Sequence, residues 1–135
     1  MGDWKYVESN VAWLGANGTA STPFFLFQGM NIVHPPYATT PEYLSRVDQS
    51  KIVAPHWPVV EDLHPCDFQS TMKKGCATFG YQNTSAHKRG IIAGYYAMIA
   101  EYDEMIGAHV SAVAAAGLTD STVFVLSSDL SLIHI

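Results

Sequence analysis

Gly117-Leu118-Thr119-Asp120-Ser121-Thr122-Val123-Phe124-Val125-Leu126-Ser127-Ser128-Asp129 is the stretch from which the architecture is read. Gly117 supplies the left-handed residue that commonly closes a helix, and Thr119-Asp120-Ser121 makes a tight connector. Thr122 to Leu126 then runs apolar with no polar residue to mark a solvent side. That pattern predicts a strand buried on both faces, as in a parallel sheet covered by helices. Asp129 follows the strand's C-terminal end, where open α/β sheets place their ligands.

Working upstream, Ile91, Ile92, Tyr95, Met98, Ile99, Tyr102, Met105, Ile106, His109, Val110 and Val113 recur every three or four residues. This stripe predicts one long helix from Ser85 or Ala86 to Ala116, with Ser85 as its cap and the Tyr and Met side chains in the core. Further upstream, Phe24-Phe25-Leu26-Phe27, ended by Gly29, predicts a second strand buried on both faces. Trp4 to Leu14 has helical spacing until Gly15 and Asn17-Gly18 stop it. Between the strand and the long helix, Asn31 to His87 holds six of the seven prolines and little periodicity, so a long, functional loop region is expected. A short helix over Pro41–Val47 is allowed within it, since proline is tolerated in a first turn.

The fold class read from this pattern is α/β: two buried strands, a short N-terminal helix, a long irregular region and one long helix. Two strands that each need cover on both faces cannot satisfy one another, so the chain is expected to be incomplete as a folding unit. The alternative is a compact α+β domain with weaker strands hidden between residues 50 and 80.

The bulk composition fits a globular chain, 48% hydrophobic and 14% charged. The 12 acidic and 7 basic residues leave a net charge of -5 with the cations scattered, which argues against a nucleic-acid partner. No run approaches the ~20 apolar residues of a membrane span, and Met1 to Trp13 is too polar for a secretory signal. Cys66 and Cys76 match no zinc pattern, and the spacing leaves one bridge or two free thiols equally open. Asn17-Gly18-Thr19 and Asn83-Thr84-Ser85 are N-glycosylation triplets in polar stretches read as surface loops.

Two residues stand out for chemistry because each follows a predicted strand: His34, in Asn31-Ile32-Val33-His34-Pro35-Pro36, and Asp129. In a parallel sheet both would face one rim. An aspartate there can hold a hard cation, and a histidine can donate a proton to an anionic ester. The plainer readings are a hydrogen-bonded loop histidine and a turn-capping aspartate.

Three segments resemble the type I sulfatases in order and spacing. They are Pro23-Phe24-Phe25-Leu26-Phe27 with Asn31-Ile32-Val33-His34-Pro35, Tyr95 to Gly107 with its Ala100-Glu101-Tyr102-Asp103, and Thr122 to Asp129. The middle stretch is similar to one branch of arylsulfatases, those acting on glycosaminoglycan uronates. It contains Ala54-Pro55-His56-Trp57-Pro58, Leu63-His64-Pro65-Cys66-Asp67-Phe68 and Lys74-Gly75-Cys76. Resemblance covers residues 1–129, which would form an internal part of an N-terminal catalytic domain of alkaline-phosphatase-like fold.

The resemblance implies a calcium-dependent hydrolase of sulfate esters that uses a formylglycine, made from cysteine in a Cys-x-Pro/Ala-x-Arg motif. Asp129 would then be one metal ligand, and His34 the histidine that contacts the sulfate and assists departure of the alcohol. His64 would line the substrate pocket, although a loop brace is the stronger reading. The expected substrate is a sulfated small molecule or glycan, and the expected location lysosomal or secreted.

Departures from the family pattern limit this. Cys66-Asp67-Phe68-Gln69-Ser70 and Cys76-Ala77-Thr78-Phe79-Gly80 both fail the nucleophile motif, so the nucleophile is expected outside this chain, with most calcium ligands. Leu130 stands where the family has a histidine, and residues 130–135 read as an unrelated tail at a truncated end. Glu101 and Asp103 read as a solvated face or a brace to neighbouring loops, and His109 as packed. The rival functions are a phosphodiesterase or phosphatase relative of the same superfamily and a non-catalytic fragment.

Overall fold

The computed structural model describes residues 2–18, 23–54, 64–68 and 85–128. They fold into two compact units, residues 1–30 with 104–135 and residues 31–103.

In the first unit, helix α1 spans Gly2–Asn17. Asp3 in its first turn sits against the positive end of the helix dipole. Val7 and Leu14, two turns apart, bury one face to 1% exposure each. The C-terminal end is closed by Gly18 N–H donating to Leu14 O at 2.7 Å, with Asn17 Nδ2 donating to Trp13 O at 2.9 Å. Asn17 of the first glycosylation triplet therefore ends a helix instead of lying in a loop. Asn83 of the second lies outside the described residues.

In the second unit, helix α2 covers Pro41–Ser45 and carries its proline in the first turn, as expected. Its buried residue is Tyr43, over whose ring the Arg46 guanidinium sits 4.5 Å from the centroid. A 3₁₀ turn follows at Gln49–Lys51, capped by the Asp48 carboxylate accepting from Ser50 N. Helix α3 is the single turn Pro65–Phe68.

Helix α4, Ser85–Ala115, contributes to both units. Ser85, expected as its cap, is its first helical residue. Its end is a Schellman turn: Gly117 adopts φ +72°, Leu118 N–H donates to Val113 O at 3.1 Å and Gly117 N–H to Ala114 O at 3.0 Å. The 3₁₀ turn Thr119–Ser121 then makes the short connector. The buried face runs through Ala93, Ala97, Met98, Glu101, Met105 and Val113. Ile91, Ile99 and Val110 of the expected stripe are instead about 40% exposed (40%, 39% and 44%).

The α/β expectation is overturned. Among the described residues there is no strand. Phe25 and Phe27 are 90% and 80% exposed, and Val123 and Val125 are both 86% exposed, so neither predicted strand is buried on two faces. The physical reason lies in what an apolar run encodes. It states that a segment gains by being covered, whereas a strand exists only through ladder hydrogen bonds to a partner. Residues 23–30 find a helix instead: Phe24 meets Trp13 edge-on at 5.4 Å and Gln28 pairs with Asn10, both on α1. Leu26, Gln28 and Met30 are accordingly half-buried while Phe25, Phe27 and Gly29 face outward.

Candidate functional site

His34 sits on an exposed turn whose backbone is fixed by its neighbours. His34 N–H donates to Asn31 O at 2.9 Å, closing a β-turn over Asn31-Ile32-Val33-His34. Ile32 is 9% exposed and anchors the turn in the second unit's core. Val33, at the third position, takes φ +71°, the left-handed region that type II turns require and that glycine or asparagine normally supplies. For a β-branched residue this conformation costs on the order of 1–3 kcal/mol. The turn is therefore held by its surroundings against the preference of Val33.

The imidazole is oriented as well. Its Nδ1 lies 2.6 Å from Pro35 O. A carbonyl can only accept, so Nδ1 carries hydrogen, and Nε2 is left as the nitrogen that can meet a substrate. Pro35–Pro36 is a cis bond, and Ala38 N–H donates to Pro36 O at 2.7 Å.

Downstream, the same loop is fastened to α4 at three places. A Cβ on Gly94 would lie 2.8 Å from Tyr37 O, so only glycine lets the loop backbone approach this closely. The Tyr37 ring meets Tyr95 edge-on at 5.7 Å. Thr39 Oγ1 donates to Glu101 Oε2 at 3.0 Å, and Glu101 is 1% exposed. Of the two readings given to Glu101, the brace is the one observed. Asp103 is exposed.

Sequence reasoning missed Val33, Gly94 and Thr39 as parts of this arrangement. Gly94 and Glu101 had a readable signal: they lie four residues before Met98 and four after Ala97, in register with the buried face. The conformation of Val33 had none, because valine disfavours it.

His64 is exposed, and its Nδ1 accepts from Cys66 N–H at 3.2 Å at the start of α3. That is a loop brace. Cys66 is an exposed free thiol, and Cys76 lies outside the described residues. His109 is half-buried on α4, with Nδ1 donating to Met105 O at 2.9 Å and Nε2 3.4 Å from Asn10 Nδ2, consistent with packing.

Asp129 lies outside the described residues. Among the described residues there is no sheet whose rim would pair His34 with Asp129, so the roles expected of them rest on the family likeness. Among the described residues no three His, Cys, Asp or Glu side chains converge as a metal site. These residues do not by themselves fit a calcium ion. No helix of the described residues is long and apolar enough to cross a membrane.

The chain is similar over nearly its whole length to arylsulfatase K proteins. It is 35% identical to arylsulfatase K of Xenopus laevis over 142 residues, covering 94% of this chain and 26% of that protein. The figures are 34%, 94% and 26% for Danio rerio, and 30%, 94% and 26% for Homo sapiens. The chain thus spans about a quarter of the length of the curated relatives it matches. No family model and no solved structure matches it.

Proposed function

We propose that the chain belongs to the sulfatase family, forms part of a sulfuric ester hydrolase and supplies the leaving-group side of its active site. The observation that carries this reading is the likeness to arylsulfatase K proteins along 94% of the chain.

In this reading His34 is the proton donor. As the S–O bond breaks, both electrons pass to the alcohol oxygen, which takes the Nε2 proton of His34 in its imidazolium form, and the ring is left neutral with Nδ1–H still on the Pro35 carbonyl. An alkoxide of a sugar is a poor leaving group, so protonating it lowers the barrier substantially. The sulfuryl group passes to a nucleophile that neither Cys66 nor Cys76 provides, since neither stands in a Cys-x-Pro/Ala-x-Arg motif. A formylglycine elsewhere in a longer protein would supply that nucleophile. Asp129 would supply one carboxylate to a calcium ion whose other ligands would lie elsewhere. The substrate is a sulfated uronate of a glycosaminoglycan, and the compartment lysosomal or extracellular.

The test is sulfate release by the full-length protein carrying this stretch, offered a sulfated uronate oligosaccharide and, in parallel, a phosphate diester. Inorganic sulfate from the first and no turnover of the second is the expected result. Replacing His34 with Ala should slow sulfate release by roughly 10²-fold or more. Preference for the diester would refute the assignment.

A further inference from the structure

We infer that Val33 is a positioning residue for His34, acting through its left-handed backbone and not through its side chain. The inference rests on the reading of His34 as the proton donor. Four observations point to it. Val33 immediately precedes His34 and adopts φ +71°, a conformation its branched side chain disfavours. The turn it completes is closed by His34 N–H itself, at 2.9 Å from Asn31 O. Ile32 is buried on one side of it, and on the other the loop is seated on α4 at Gly94 and Glu101. The imidazole at the end is exposed and pinned through Nδ1.

The geometry follows from the backbone. A residue with φ near -65° at position 33 would turn the following peptide to the opposite side, carrying the His34 Cα–Cβ bond with it. Ile32 and Tyr37 would still be fixed, so the mismatch would fall on the short segment between them, which carries His34. Strain concentrated at a reactive residue, between two anchored segments, is how a fold holds a donor in one orientation.

The experiment uses the full-length protein with four forms: unaltered, His34→Ala, Val33→Pro and Val33→Asn. Each is assayed on a sulfated uronate, whose alkoxide needs a proton on departure, and on 4-nitrophenyl sulfate, whose phenolate does not. His34→Ala tests the underlying reading: it should lower kcat/KM for the uronate far more than for the aryl ester, and an equal loss on both would remove His34 as donor. Val33→Pro fixes φ near -65°, and should reproduce the same selective loss, roughly 10²-fold on the uronate. Val33→Asn tolerates the left-handed region, so it should keep both activities within about threefold and unfold at a higher temperature.

Equal loss on both substrates in Val33→Pro would make the turn structural only and overturn the positioning role while leaving His34 as donor. A selective uronate loss in Val33→Asn would overturn it too, by assigning the effect to the valine side chain. The asparagine variant decides the matter if the proline variant does not fold.

Discussion

A carboxyl group that is 1% exposed, as Glu101 is, survives in a folded chain only with hydrogen-bond donors around it. Thr39 Oγ1 is one of them, at 3.0 Å. Thr39→Val should therefore cost about 1–3 kcal/mol, the penalty of taking a partner from a buried polar atom. Thr39→Ser, which keeps the hydroxyl, should cost much less. Urea denaturation of the two variants checks the difference, and equal stabilities would show that the bond contributes nothing. Gly94 poses a competition of two effects. Alanine there gains about 1 kcal/mol of helix propensity, but its Cβ would meet a backbone oxygen 2.8 Å away, which cannot swing aside. Overpacking of this kind costs about 1–3 kcal/mol, so Gly94→Ala should lower the melting temperature. At this scale the sequence was informative where periodicity applies. Glu101 falls four residues after Ala97 and four before Met105, both fully buried, so its burial was readable from register. The turn at Val33 was not, because local preference points the other way and only the anchored neighbours impose it.

Among the elements, α4 and α2 were legible because their signals are local: helical spacing, proline in a first turn and glycine past an end. Gly117 shows the strength of the last signal. With φ +72° and open space around its missing Cβ, Gly117→Ala meets no clash but must hold an alanine in the left-handed region. A loss of about 1 kcal/mol is expected, read as a lower thermal midpoint. The two apolar runs were misread because cover and pairing are properties of a partner, not of the run itself. Phe25→Glu and Val125→Glu provide the check. Side chains 90% and 86% exposed can become charged with stability changed by no more than about 0.5 kcal/mol, and binding of a hydrophobic dye should fall. A loss of several kcal/mol in either variant would mean that the segment is buried after all. The 3₁₀ turn at Gln49–Lys51 carries a pH dependence. The Ser50 hydroxyl, then Lys51, then the Ser50 amide hold the exposed Asp48 carboxyl below the ordinary carboxylate range. A lowered folded-state value means that the stabilisation is present above the ordinary range and fades as pH falls through the lowered one. Asp48→Asn should remove that part of the acid limb, and a carbon-detected NMR titration of Asp48 would show the shift directly.

For the molecule as a whole, the likeness to sulfatases was legible from three short motifs in order, and the similarity to arylsulfatase K proteins over 94% of the chain agrees with it. The arrangement of the site was legible only in part. His34 and the loop that holds it belong to residues 31–103, and its support on α4 is a local matter within that unit. Asp129, its expected partner, was paired with it through a sheet that is absent among the described residues, and Asp129 itself lies outside them. In the proposed reading, this chain brings to catalysis a single oriented donor, with the nucleophile and most cation ligands assigned to the remainder of a longer protein. The most direct measurement of that claim is the ratio of kcat/KM for a sulfated uronate to that for 4-nitrophenyl sulfate, compared between the unaltered full-length protein and its His34→Ala variant. The ratio should collapse by roughly 10²-fold when the imidazole is removed, because only the poor leaving group needs its proton. An unchanged ratio, whether both rates fall or neither does, would contradict the donor role.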